Sequence, residues 1–193
     1  MVKLAIFLSG SGSNAEKICA YFKDNPQIQV KYLLSNKENS GAKSIGDAYN
    51  IPFRIFNRED FNSGLIADFL LDEGIDVVIL AGFLWLVPQN LLATFPDKVI
   101  NIHPALLPKY GGKGMHGAYV HQAVYNNKET ESGITIHLCN EEFDKGAILF
   151  QAKVLLNADD APEIIAKKVL QLEHQYFPKV IENFCRSFEE KIG

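Results

Sequence analysis

Apolar runs alternate with turn residues and with segments of helical period through most of the chain. From Lys3 to Leu8 the run is nearly continuous, as in a strand buried on both faces. Ser9-Gly10-Ser11-Gly12-Ser13-Asn14 then leads into a helical stripe through Ile18, Tyr21 and Phe22. Strands are predicted again at Val30–Leu34, Phe53–Phe56, Asp76–Leu80 and Val99–Asn101, with helical segments at Ser44–Tyr49, Phe61–Leu71 and Pro88–Phe95 between them. The stripe from Phe61 is read as one helix that ends at Gly74.

The second half begins with a glycine-rich stretch, Gly111 to Gly117, and a helix from His121 to Tyr125. Gly133–Leu138 alternates, with Ile134, Ile136 and Leu138 on one side and Thr135 and His137 on the other, which predicts a strand with unlike faces. An acidic turn, Glu141 to Gly146, precedes the last strand, Ile148–Leu156. Asp160-Ala161-Pro162-Glu163 has the form of a capping box that opens a long helix, and Pro178 is expected to kink that helix. Strand–helix alternation of this kind predicts a three-layer α/β/α fold on a mainly parallel sheet of about seven strands. No repeat or linker divides the chain, so one domain over 1–193 is expected.

Composition narrows the function classes. At 193 residues the chain can bury a core without disulfides or metal, and a net charge of -4 argues against nucleic-acid or membrane-surface binding. Cys19, Cys139 and Cys185 are far apart and flanked by apolar residues, and the five histidines lack metal-ligand spacing, so neither a disulfide framework nor a metal site is expected. The first strand starts at the N-terminus and no apolar stretch approaches a bilayer span, which makes the cytoplasm the default compartment.

Two stretches carry chemistry. In Asn101-Ile102-His103-Pro104, Pro104 holds His103 extended, so Asn101 and His103 share one face of a strand end. Two such donors aimed at one point suit a carbonyl oxygen that gains negative charge. A carboxylate from Glu141, Glu142 or Asp144 near His103 would favour its charged form. The early glycine turn suits a phosphate, with Ser13 and Asn14 at a helix N-terminus, yet it matches neither the dinucleotide fingerprint nor a Walker loop. Leu84-Trp85-Leu86-Val87, just beyond a strand end, forms either an apolar wall for a flat ring or core under a loop.

Taken together and in order, Ser9 to Asn14, Ala81-Gly82-Phe83, Asn101 to Pro108, Gly133-x-Thr-x-His137, Asp144-x-Gly146 and Glu173-His174 resemble the folate-dependent phosphoribosylglycinamide formyltransferases of purine synthesis. The likeness spans almost the whole chain. It implies a Rossmann-like N-terminal half that binds phosphate, a catalytic and folate-binding C-terminal half, and one antiparallel strand late in the sheet. It implies Asn101, His103 and Asp144 as the catalytic set, with Gly12, Ser13 and Asn14 on the substrate phosphate and Glu173 on its ribose. Asn101, Arg58 and Leu84 to Val87 (Leu84, Trp85, Leu86, Val87) would meet the folate. The implied cosubstrate is 10-formyltetrahydrofolate, without metal. The implied partners are small molecules only, bound by a monomer or homodimer. Trp85 stands where the family often has a basic residue, and Leu170 where a polar ribose contact is common. Another folate-dependent formyltransferase, a formyltetrahydrofolate hydrolase and a non-catalytic nucleotide-binding module are the alternatives.

Overall fold

The computed structural model describes residues 1–189. Its first strand, β1 (Val2–Leu8), lies inside the sheet and is buried on both faces from Leu4 onward. Alternation sorts its side chains into two cores. Leu4, Ile6 and Leu8 face one helical layer, and Ala5 and Phe7 face the other. β2 (Ile28–Ser35) and β3 (Phe53–Ile55) extend the sheet on one side. On the other side lie β4 (Val77–Leu80), β5 (Val99–His103), β6 (Glu131–Leu138) and β7 (Ile148–Leu155). The order is β3-β2-β1-β4-β5-β6-β7, and β6 pairs antiparallel with both its neighbours while the other pairings are parallel. This is the predicted mainly parallel seven-stranded sheet with one reversed strand late in the chain.

The helices α1 (Ser13–Phe22), α2 (Ala42–Tyr49) and α7 (Pro162–Glu189) join one core, where Ile18, Phe22, Ile45, Ile165, Val169 and Phe177 pack on the sheet. The opposite core is more aromatic. Phe61 of α3 (Arg58–Ser63) packs there with Phe7, Phe56 and Phe83, beside Ile66 and Leu70 of α4 (Leu65–Asp72) and Leu91 of α5 (Gln89–Thr94). α6 (Ala118–Asn126) follows the glycine-rich stretch.

Three local expectations change. The single helix expected from Phe61 to Leu71 is two, because Gly64 takes a left-handed backbone (φ 98°) that caps α3 and redirects the chain into α4. Asp160 does not form a capping box. Its carboxylate accepts from Asn157 N–H (2.8 Å) and pairs with the Lys168 ammonium. The carbonyl of Ala161 receives the first helical bonds instead, from Ile164 (2.9 Å) and Ile165 (3.0 Å). The two faces of β6 are also less unlike than the alternation implied, since Ser132 to His137 are buried throughout, the sheet being covered on both sides. Pro178 lies within α7, and the helix continues past it to Glu189.

In an open sheet of this kind ligands sit beyond the strand C-termini where the order reverses, which here is between β1 and β4. Ser9 joins the strand ends there. Its N–H bonds to Gly82 O (3.1 Å), and its hydroxyl donates to Asn36 Oδ1 (2.7 Å) and accepts from Leu84 N–H (3.1 Å).

Candidate active site

β5 delivers Asn101 and His103 on one face at its C-terminal end, and antiparallel pairing sets His137 opposite Asn101 and Thr135 opposite His103. Cross-strand neighbours point the same way, so His137 joins the cluster. Its Nδ1 lies 2.8 Å from Leu138 O and therefore carries a hydrogen, which leaves Nε2 to accept from Asn101 Nδ2 at 3.1 Å. His103 gives its Nε2–H to Tyr110 O (2.7 Å) and turns Nδ1 toward Asp144 Oδ2 (3.5 Å). The other oxygen of Asp144 lies 3.5 Å from His137 Nε2.

Asp144 reaches this position from a turn after β6, with a left-handed backbone (φ 57°) and with Oδ2 accepting Gly112 N–H at 2.9 Å. Burial pushes its carboxyl upward, but the His137 and His103 rings, which form ion pairs with it when protonated, and the Gly112 N–H outweigh burial and hold it below the usual carboxylate range. His103 is governed by burial, which lowers its pKa against the opposing pull of Asp144 and Tyr110 O. The structure therefore brings Asn101, His103 and Asp144 together, and Asp144 is the member of its turn that faces His103. Asn101 and His103 do not aim at one common point in this form. Buried polar atoms take partners, and theirs are His137 and Tyr110.

Two cavities flank this cluster. The larger, about 800 Å³, runs from Ser9, Gly10 and Asn14 past His103 and Asp144 to the glycine-rich stretch and the α7 face of Ala166, Leu170 and Glu173. The smaller, about 40 Å³, is walled by Leu80, Trp85, Leu86, Val87, Cys139 and Asn140, and Asn101 opens onto it. Phe143 and Asp144 line both. The walls of the smaller are mostly apolar with an amide at one edge, but about 40 Å³ is too small for a heterocycle, so the expected folate wall of Leu84 to Val87 is closed in this structure.

The other predicted residues divide. Asn14, buried at the start of α1, lines the large cavity and donates Nδ2–H to Glu173 Oε2 at 2.5 Å across 159 residues of sequence. Glu173 is itself buried, and burial raises its pKa against that bond. Gly12 and Ser13 do not line the cavity. Gly12 (φ 81°) begins α1, and a Cβ there would stand 2.6 Å from Leu8 Cδ1 and 2.7 Å from Ile45 Cδ1, so the packing beneath the turn requires the glycine. The first helical bond runs from Glu16 N to Gly12 O (2.8 Å), which leaves the Ser13, Asn14 and Ala15 amides without helical acceptors. Leu84 lines the large cavity instead of the small one, and Arg58 lines neither, its guanidinium lying 4.0 Å above the Trp85 ring.

Ser9 and His137, which belong to the resemblance motifs without an assigned role, and Lys37, which sequence reasoning missed, take positions in the site. Only the antiparallel register set His137 against Asn101, and only the loop after β2 brought Lys37 to the wall of the cavity. His116 and His121 both line the large cavity, His116 edge-on to Tyr119 with ring centroids 5.4 Å apart.

A family model described as formyl transferase matches residues 2–181. The chloroplastic phosphoribosylglycinamide formyltransferase of Arabidopsis thaliana is 42% identical over 98% of this chain, which spans 66% of the relative's length, just under two thirds. The phosphoribosylglycinamide formyltransferase of Haemophilus influenzae is 32% identical over 95% of this chain and 87% of its own. The crystal structure of phosphoribosylglycinamide formyltransferase from Anaplasma phagocytophilum superposes with a TM-score of 0.87 at 28% identity, covering 96% of this chain and 87% of that one. A match that runs from β1 into α7, together with an overlapping fold, establishes that this chain belongs to the formyl transferase family.

Proposed function

We propose that the protein transfers the formyl group of 10-formyltetrahydrofolate to the primary amine of glycinamide ribonucleotide. The observation that carries this reading is the cluster of Asn101, His103 and Asp144, with His103 and Asp144 lining the larger cavity. The larger has room for a nucleotide-sized substrate, with its phosphate at Ser9, Gly10 and the α1 amides and its ribose near Glu173. Family membership and the names of the relatives point to the same reaction.

10-Formyltetrahydrofolate supplies the one-carbon unit and leaves with a proton on N10. The substrate amine attacks the formyl carbon, and its lone pair forms the new C–N bond while the carbonyl pair moves onto oxygen. The Asn101 amide, bonded to His137 in the resting site, donates to that oxyanion, and the charge of the His103 ring stabilises it once the ring has taken up the amine's proton. The proton shed by the amine is taken up at His103 Nδ1, where the Asp144 carboxylate stands 3.5 Å away to stabilise the charged ring, and it passes to N10 as the C–N10 bond breaks. A single domain, a cytoplasmic location and a monomer or homodimer go with this reading, and sedimentation of the purified protein tests the last.

Incubation with both substrates is the direct test. Formylated glycinamide ribonucleotide and tetrahydrofolate should appear in equal amounts. Formate with tetrahydrofolate would instead identify a hydrolase, and no turnover would favour a binding module.

A further inference from the structure

The large cavity contains an imidazole that the mechanism above does not use. His121 sits on α6, is only 7% exposed, and lines the cavity with His103. Its Nδ1 is sealed in the protein without a hydrogen-bond partner, whereas Nε2 is neither bonded nor among the buried unpartnered atoms, which leaves Nε2 as the polar atom open to the cavity. An orphaned buried acceptor is tolerated more readily than an orphaned buried N–H, so the neutral ring keeps Nδ1 bare and presents Nε2–H. Burial, and secondarily a charge on His103, disfavours protonation of the ring.

We propose that His121 donates Nε2–H to an oxygen of the small substrate bound in this cavity, namely the amide carbonyl next to its reacting amine. The proposal rests on the reading of function given above. The site calls for an oxygen acceptor because a bare N–H faces the cavity. It calls for the reacting end because the His121 and His103 rings line the same cavity near enough for a charge on one to act on the other, whereas Asn14 and Glu173 form a separate polar pair with each other. A contact of this kind exists in the ground state and in the transition state alike, so it sets affinity and orientation more than rate.

His121→Leu removes the donor together with a buried unsatisfied nitrogen, so its melting temperature should equal or exceed that of the parent protein. Its KM for glycinamide ribonucleotide should rise about tenfold, the scale of one hydrogen bond, with kcat and the KM for 10-formyltetrahydrofolate little changed. His121→Gln, which keeps an N–H at similar reach, should recover most of the affinity. In the parent protein, the Nε2 resonance of His121 in ¹⁵N spectra should shift when glycinamide ribonucleotide is added without folate. An unmoved resonance, or a KM for glycinamide ribonucleotide within twofold of the parent value in His121→Leu, would overturn the proposal while leaving formyl transfer intact. Absence of any turnover by the parent protein would overturn both.

Discussion

The carbonyl oxygen of Tyr110 accepts Nε2–H of His103 at 2.7 Å, and that contact decides the tautomer at the centre of the site. A carbonyl only accepts, so the neutral ring carries its hydrogen on Nε2 and leaves Nδ1 bare, 3.5 Å from the Asp144 carboxylate. Two acceptors facing each other repel, and a proton arriving at Nδ1 turns the repulsion into an ion pair. The site is thereby prepared to take up one proton at a defined atom.

Asp144→Asn should keep the shape of that contact and abolish its charge. On the proposed mechanism, kcat falls roughly 10²-fold or more with both KM values nearly unchanged, since the interaction develops only as His103 gains its proton. Burial already lowers the His103 pKa and Asp144 opposes it, so the His103 titration followed by NMR should move to lower pH in the variant. Normal turnover with an unmoved titration would remove Asp144 from the mechanism.

Glu173→Gln should raise stability at neutral pH. Burial raises the folded-state pKa of Glu173 above its ordinary value of 4.5, so the parent protein loses stability as pH rises through that folded pKa. Glutamine has no such titration, and its side-chain oxygen can still accept from Asn14. The gain in melting temperature should be full above the folded pKa and should vanish below about pH 4.5. A gain that does not depend on pH would mean that Glu173 is not held in a desolvated state.

Gly12→Ala should act through the fold. The left-handed backbone and the approach of Leu8 and Ile45 to within 2.7 Å of the new Cβ predict destabilisation of about 2 kcal/mol, read as a lower urea midpoint. An unchanged midpoint with a raised KM for the phosphorylated substrate would return Gly12 to the ligand side of the turn.

Exhaustive chelation should leave turnover unchanged, because the proposed chemistry uses only the amide, imidazole and carboxylate groups of Asn101, His103 and Asp144. Activity lost to a chelator and restored by zinc would replace this mechanism with a metal-assisted one.

Local period and local backbone chemistry made much of this protein legible in its sequence. β1 reads as doubly buried because its apolar residues are continuous, and Asn101 and His103 read as sharing a face because strand alternation and Pro104 act over two residues. Resemblance in motif order carried the choice of Asp144 and Glu173. Tertiary structure alone decided which distant groups meet. The β5–β6 register set His137 against Asn101, and the packing of α7 beside α1 brought Glu173 to Asn14. It also decided that Gly12 is held from beneath by Leu8 and Ile45, and that Trp85 and Leu84 serve different cavities. The division has a physical cause. Dihedral preference and side-chain period are properties of a few neighbouring residues, whereas a contact between residues far apart in sequence exists only once strand order and helix placement have closed the intervening chain into one core.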